Sequence, residues 1–105
     1  MTHSNEKARK ISIETTETFK KVVSEVETAF GISSIFQRSN SPKYTAPRSA
    51  VFYILVKRKG LKSVDICELS GIKSTSQGTY YIKLFDAEHQ RSKKFRETII
   101  KLGHE

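Results

Sequence analysis

The sequence predicts an all-α fold of four to five helices, on three observations. Phe19, Val22, Val23, Val26, Ala29 and Phe30 recur at the spacing of one helix face. Gly31, Gly60 and Gly71 each follow a stretch with helical character, where a left-handed terminator belongs. Pro47 stands before the apolar run 50–56, and "KRKG" follows it. A buried strand competes for that run, but its length, the leading proline and the cationic end favour a helix.

Taken in order, residues 1–11 read as a flexible, basic N-terminus and residues 12–105 as a single domain. Ser12 is the expected N-cap of a first helix over 13–29, with Glu14 and Glu17 near the positive end of its dipole. "ISSIF" is a short connector anchored by Ile32, Ile35 and Phe36. The segment 37–47 reads as a loop, because it holds both prolines and several Ser, Asn and Thr residues. Its cations are Arg38 and Lys43. A second helix is predicted over 48–60, with Pro47 in its first turn, Thr45 as a candidate cap and Gly60 as the stop. A short helix follows within 61–71, capped by Ser63 and ended by Gly71. The next is expected from 74 to about 87 with Ser74 as its cap. Residues 88–102 make a last helix, or a continuation after a bend, with Phe95, Ile99 and Leu102 as its apolar positions.

The totals bound the function. The 105 residues carry 19 Lys and Arg against 11 Asp and Glu, a formal charge of +8. The excess is lopsided: residues 1–40 hold six cations and five acids, net +1, and residues 41–105 hold thirteen and six, net +7. A polyanionic partner is therefore expected on the second part of the chain, nucleic acid first and an anionic membrane surface second. Cys67 is the single cysteine, which excludes an internal disulfide and suits a cytoplasmic location. The first ten residues lack the apolar core of a signal peptide, and the seven-residue run 50–56 is far too short to span a membrane.

The stretch "SGIKSTSQGTYYIKLF", residues 70–85, carries the chemistry. Two short helices joined by a Gly-containing turn have the form of a helix-turn-helix. At about 100° per residue, Gly78, Tyr81, Ile82 and Phe85 fall on one side, which is the expected buried side. Ser76, Thr79, Tyr80 and Lys83 fall roughly opposite. Short hydroxyls and one cation let a helix sit deep in a major groove and bond phosphates or base edges. The amides of residues 74–76 at the helix start suit a phosphate. Glycine at 78 costs about 1 kcal/mol of helix propensity against alanine, which implies a close approach by another helix.

The order of these features resembles the C-terminal DNA-binding domain of the bacterial replication initiator DnaA, a Trp-repressor-like helix-turn-helix. "FKKVVSEVETAFGIS", 19–33, is similar to the family's first helix with its aromatic–Gly–Val/Ile–Ser end. "PRSAVFYIL" is similar to the start of its long second helix, and residues 70–85 fall on its most diagnostic segment. The likeness covers about residues 13–100 and lies in the order and spacing of the pieces. It implies double-stranded DNA binding. Thr75 and Ser76 match the family's Thr-Thr pair, Lys83 its late basic position, and Arg48 a backbone-contacting arginine. Arg38 and Lys43 lie in the loop that enters the minor groove in that family. Lys73 and Ser74 stand where the family has Asp-His, and Asn40 stands at the minor-groove arginine, which implies a target other than the initiator's own box. With no Walker-type loop, the expectation is a stand-alone regulator of DNA replication, transcription or a mobile element, of bacterial or phage origin and associated with the nucleoid.

The DNA-binding set expected from residues and resemblance together is Arg38, Lys43, Arg48, Lys73, Ser74, Thr75, Ser76, Thr79, Tyr80 and Lys83. One turn motif reads few base pairs, so a homodimer or a protein partner would lengthen the site. RNA binding and a pure protein-interaction module are the alternatives. "KRKGLK", 57–62, either contacts phosphate or only balances a helix dipole, and "RSKKFR", 91–96, reads by default as a solvated face. His3, His89 and His104 are scattered, so no metal or cofactor is expected. Cys67 reads as a small buried residue, and no residue pattern suggests an enzyme.

Overall fold

A computed structural model describes residues 11–36, 42–72 and 76–103. The fold is all-α, with five helices among the described residues: α1, Ile13–Phe30; α2, Pro42–Tyr53, continued by a π-helical turn over Ile54–Arg58; α3, Ser63–Ser70; α4, Ser76–Arg91; and α5, Lys93–Lys101. Residues 1–10 of the expected flexible N-terminus 1–11, residues 37–41 of the expected loop, residues 73–75 of the expected turn and helix start, and residues 104–105 lie outside the described residues.

Helix α1 forms as its sequence dictates. Ser12 takes the extended conformation of a cap and its Oγ accepts from the Thr15 amide at 3.0 Å. Gly31 closes the helix with φ 67°, and its following amide at Ile32 donates to the Glu27 carbonyl at 3.0 Å. Phe19, Val22 and Val26 are buried. Replacing Ser12 with alanine orphans an N-terminal amide and should cost about 1 kcal/mol in urea denaturation; no change would show that the cap is idle.

Three boundaries differ from the sequence reading. Residues 42–47 are helical, not loop: α2 starts at Pro42, and Pro47 lies inside it. Pro42 supplies the pre-set φ of a first helical residue, the role expected of Pro47. Burial of Tyr44 and Arg48 against the domain overrides the turn character of "SPKYTAP". At α3, Lys62 is the cap position and Ser63 is the first helical residue. The Ser63 hydroxyl turns inward instead of capping. Finally, α4 runs on to Arg91, and the break falls at Ser92, whose Oγ accepts from the Phe95 amide at 3.1 Å.

Around one core, α2 packs most extensively on α4, and α1 lies across α2. Val22, Val26, Ile35, Phe52, Ile54, Leu55, Ile66 and Ile99 are almost wholly removed from water. An aromatic column runs through the α2–α4 contact. Phe52 stacks on Tyr81 at 5.4 Å, Tyr53 on Phe85 at 3.8 Å, and Phe95 of α5 meets Phe85 edge-on at 5.3 Å. No described helix is long and apolar enough to cross a membrane.

Candidate nucleic-acid interface

Gly78 sets the position of α4. It is buried at the crossing with α3 and α2, where an added Cβ would overlap Ser63 Oγ and press on Phe52 Cε2 at 3.2 Å. The absent side chain lets α3 approach the α4 backbone closely. Cys67 is buried at the same crossing. Burial pushes its thiol above its ordinary pKa, and contacts with the Gly78 backbone and the Ser63 hydroxyl pull the other way. The thiol is too weak a partner to satisfy Ser63 Oγ, which is buried without a hydrogen bond of proper geometry.

With Gly78, Tyr81 and Phe85 turned inward, the opposite side of α4 faces solvent. Ser76, Thr79, Tyr80 and Lys83 are all exposed. Tyr80 is 55% exposed, its ring tilted against that of Tyr81 at 5.2 Å. Lys43, at the start of α2, is also exposed, with its ammonium 5.3 Å from the centre of the Tyr44 ring. Between the start of α2 and α4 lies a polar cleft of about 350 Å³ lined by Thr45, Arg48, Gln77, Tyr80 and Tyr81. The surface thus offers hydroxyls, an amide and cations, a donor-rich set suited to an anionic ligand.

Arg48 departs from its expected place. It is only 9% exposed, and its Nε donates to the Ile35 carbonyl at 2.7 Å. Its Nη1 donates to the Tyr81 hydroxyl at 3.3 Å. The guanidinium also lies over the rings of Phe36, at 6.0 Å, and Tyr44, at 5.5 Å. These bonds tie the connector after α1 to α4 through α2. The arginine is a strut at the floor of the cleft, and a backbone phosphate would find it already engaged.

Arg38, Lys73, Ser74 and Thr75 lie outside the described residues. Gln77 and Thr45 were not singled out as contacts, although Gln77 stands three and four residues before Tyr80 and Tyr81, the spacing of helical neighbours. Among the described residues, no group of three His, Cys, Asp or Glu could hold a metal ion. His89 packs against Phe85 at 5.7 Å.

Comparison of the chain with protein-family models, curated proteins and solved structures gives no match.

Proposed function

We propose that this chain binds double-stranded DNA, with α3 and α4 as a helix-turn-helix and α4 as the helix that enters the major groove. The observation that carries the reading is the two-sidedness of α4. Its Gly78–Tyr81–Phe85 side is packed, while its Ser76–Thr79–Tyr80–Lys83 side is open to solvent beside the polar cleft and Lys43. Short side chains at the helix start let the backbone approach base edges, and Lys83, further along, reaches toward a phosphate. A net +7 over residues 41–105 supports a polyanionic partner. The order of sequence features that resembles the initiator's C-terminal domain points the same way. A regulatory role in replication, transcription or a mobile element is part of the proposal.

Titration of labelled duplex against rising salt tests it, with single-stranded DNA and RNA as competitors. Duplex binding should weaken steeply with salt. Lys43→Gln/Lys83→Gln should lower duplex affinity by roughly 10-fold at low salt and flatten the salt dependence by about 2 in slope, with circular dichroism unchanged. Preference for RNA, or binding indifferent to salt, would replace this reading with the RNA or protein-interaction one.

A further inference from the structure

We propose that Lys57, Lys59 and Lys62 form a second, sequence-blind phosphate contact, on a ridge built by the π-helical turn after α2. This inference rests on the duplex-binding reading and extends its footprint. Helix α2 does not fray at its end. The Lys59 amide donates to the Ile54 carbonyl at 3.0 Å and the Leu61 amide to the Leu55 carbonyl at 2.9 Å, while Gly60 takes φ 74°. These bonds fold the chain back so that Leu61 packs against the core. Residues 57–60 and Lys62 stay exposed as a result. A π-helical turn of this kind is uncommon and recurs at functional sites.

Lys62 brings one end of the ridge close to the proposed reading helix. Lys62 precedes Ser63, whose hydroxyl lies at the Gly78 crossing, so the cations end one residue from the contact between α3 and α4. A duplex lying along α4 carries two rows of phosphates, and α3 lies beside the reading helix where the first helix of such a pair crosses the backbone. Lys43 stands at the start of α2, and the ridge runs from the far end of that helix to the start of α3.

A dipole role alone does not account for the cluster. The dipole acts within the last turn, which reaches Lys57 and Lys59 but not Lys62, beyond the helix end. Among the described residues no ion pair joins Lys57, Lys59 or Lys62 to a carboxylate. Clustered like charges repel one another in the free protein, and a polyanion removes that repulsion.

The test compares Lys57→Gln/Lys59→Gln/Lys62→Gln with Lys20→Gln/Lys21→Gln/Lys101→Gln, which removes the same charge from exposed positions on α1 and α5. A labelled duplex of mixed sequence is titrated by fluorescence anisotropy across a salt series. The ridge variant should lose roughly 2 to 3 from the slope of log K against log salt, close to 0.9 for each phosphate released, and the control much less. Its melting temperature without DNA should hold or rise, which a dipole role would not allow. Wild-type protein that binds duplex while the ridge variant keeps its slope, or a control that loses as much, overturns the ridge and leaves the α4 reading standing. Wild-type protein that ignores duplex overturns both.

Discussion

Replacing Arg48 with alanine is expected to cost about 3–4 kcal/mol of folding free energy, since hydrogen bonds to a charged group are worth roughly 1.5–3 kcal/mol each. The side chain is 9% exposed and holds the Ile35 carbonyl at 2.7 Å and the Tyr81 hydroxyl at 3.3 Å. Alanine leaves that carbonyl without this donor and removes the stem packed between Phe36 and Tyr44. Lysine should recover only part of the loss, because one ammonium cannot reproduce the planar fork that reaches both oxygens. Tyr81→Phe removes the longer bond alone and should cost about 1 kcal/mol. Urea denaturation with the slope held in common measures all three. An alanine variant within about 1 kcal/mol of wild type would show that Arg48 is not a strut, because a surface substitution costs no more than that. The expected loss also governs how binding data are read. A weaker Arg48 variant reports a displaced α4 before it reports a lost phosphate contact, so Lys43 and Lys83 are the proper probes of the proposed interface.

The helix ends that were legible in the sequence are those fixed by local chemistry. Ser12 and Gly31 are each sufficient to place an end of α1, and Gly71, with φ 82°, ends α3 as its position implied. The two-sidedness of α4 was legible too, because an amphipathic period needs no partner to be read: Gly78, Tyr81 and Phe85 are buried and Ser76, Thr79 and Lys83 exposed. What sequence could not supply was tertiary. "PKYTAP" carries the local signals of a turn, and the burial of Tyr44 and Arg48 favours the helix it forms. Arg48 itself has the composition of a contact residue and the position of a core one. A guanidinium on the first turn of an expected helix says nothing about an oxygen thirteen residues earlier, at Ile35, or thirty-three later, at Tyr81. The π-helical turn is hidden for the same reason, since it goes together with the packing of Leu61 on the core and no residue type in "ILVKR" signals it.

Gly78→Ala is expected to destabilise the protein by about 2 kcal/mol, within the usual range for overpacking, although alanine gains about 1 kcal/mol of helix propensity. Propensity alone predicts the opposite sign, which makes the substitution decisive. The new methyl group meets Ser63 Oγ and, at 3.2 Å, Phe52 Cε2. Phe52 is wholly buried and stacked on Tyr81, so the ring has little room to yield. Relief must come from Ser63. Its hydroxyl is buried without a satisfying bond, so Ser63→Ala alone should be close to neutral or slightly stabilising. With that oxygen gone, the nearest α3 atom to the new methyl is the residue 63 Cβ at 3.5 Å, an ordinary contact. The double variant should therefore recover most of the loss, with a coupling of about 1–2 kcal/mol in a double-mutant cycle. Duplex affinity should follow the same order, weak for Gly78→Ala and restored in the pair, because a methyl at this crossing displaces α3 against α4 without touching an exposed group. A Gly78→Ala protein as stable as wild type would mean that the two helices do not approach as closely as the glycine allows. Equal stability with lost binding in the pair would mean instead that Ser63 itself serves the interface.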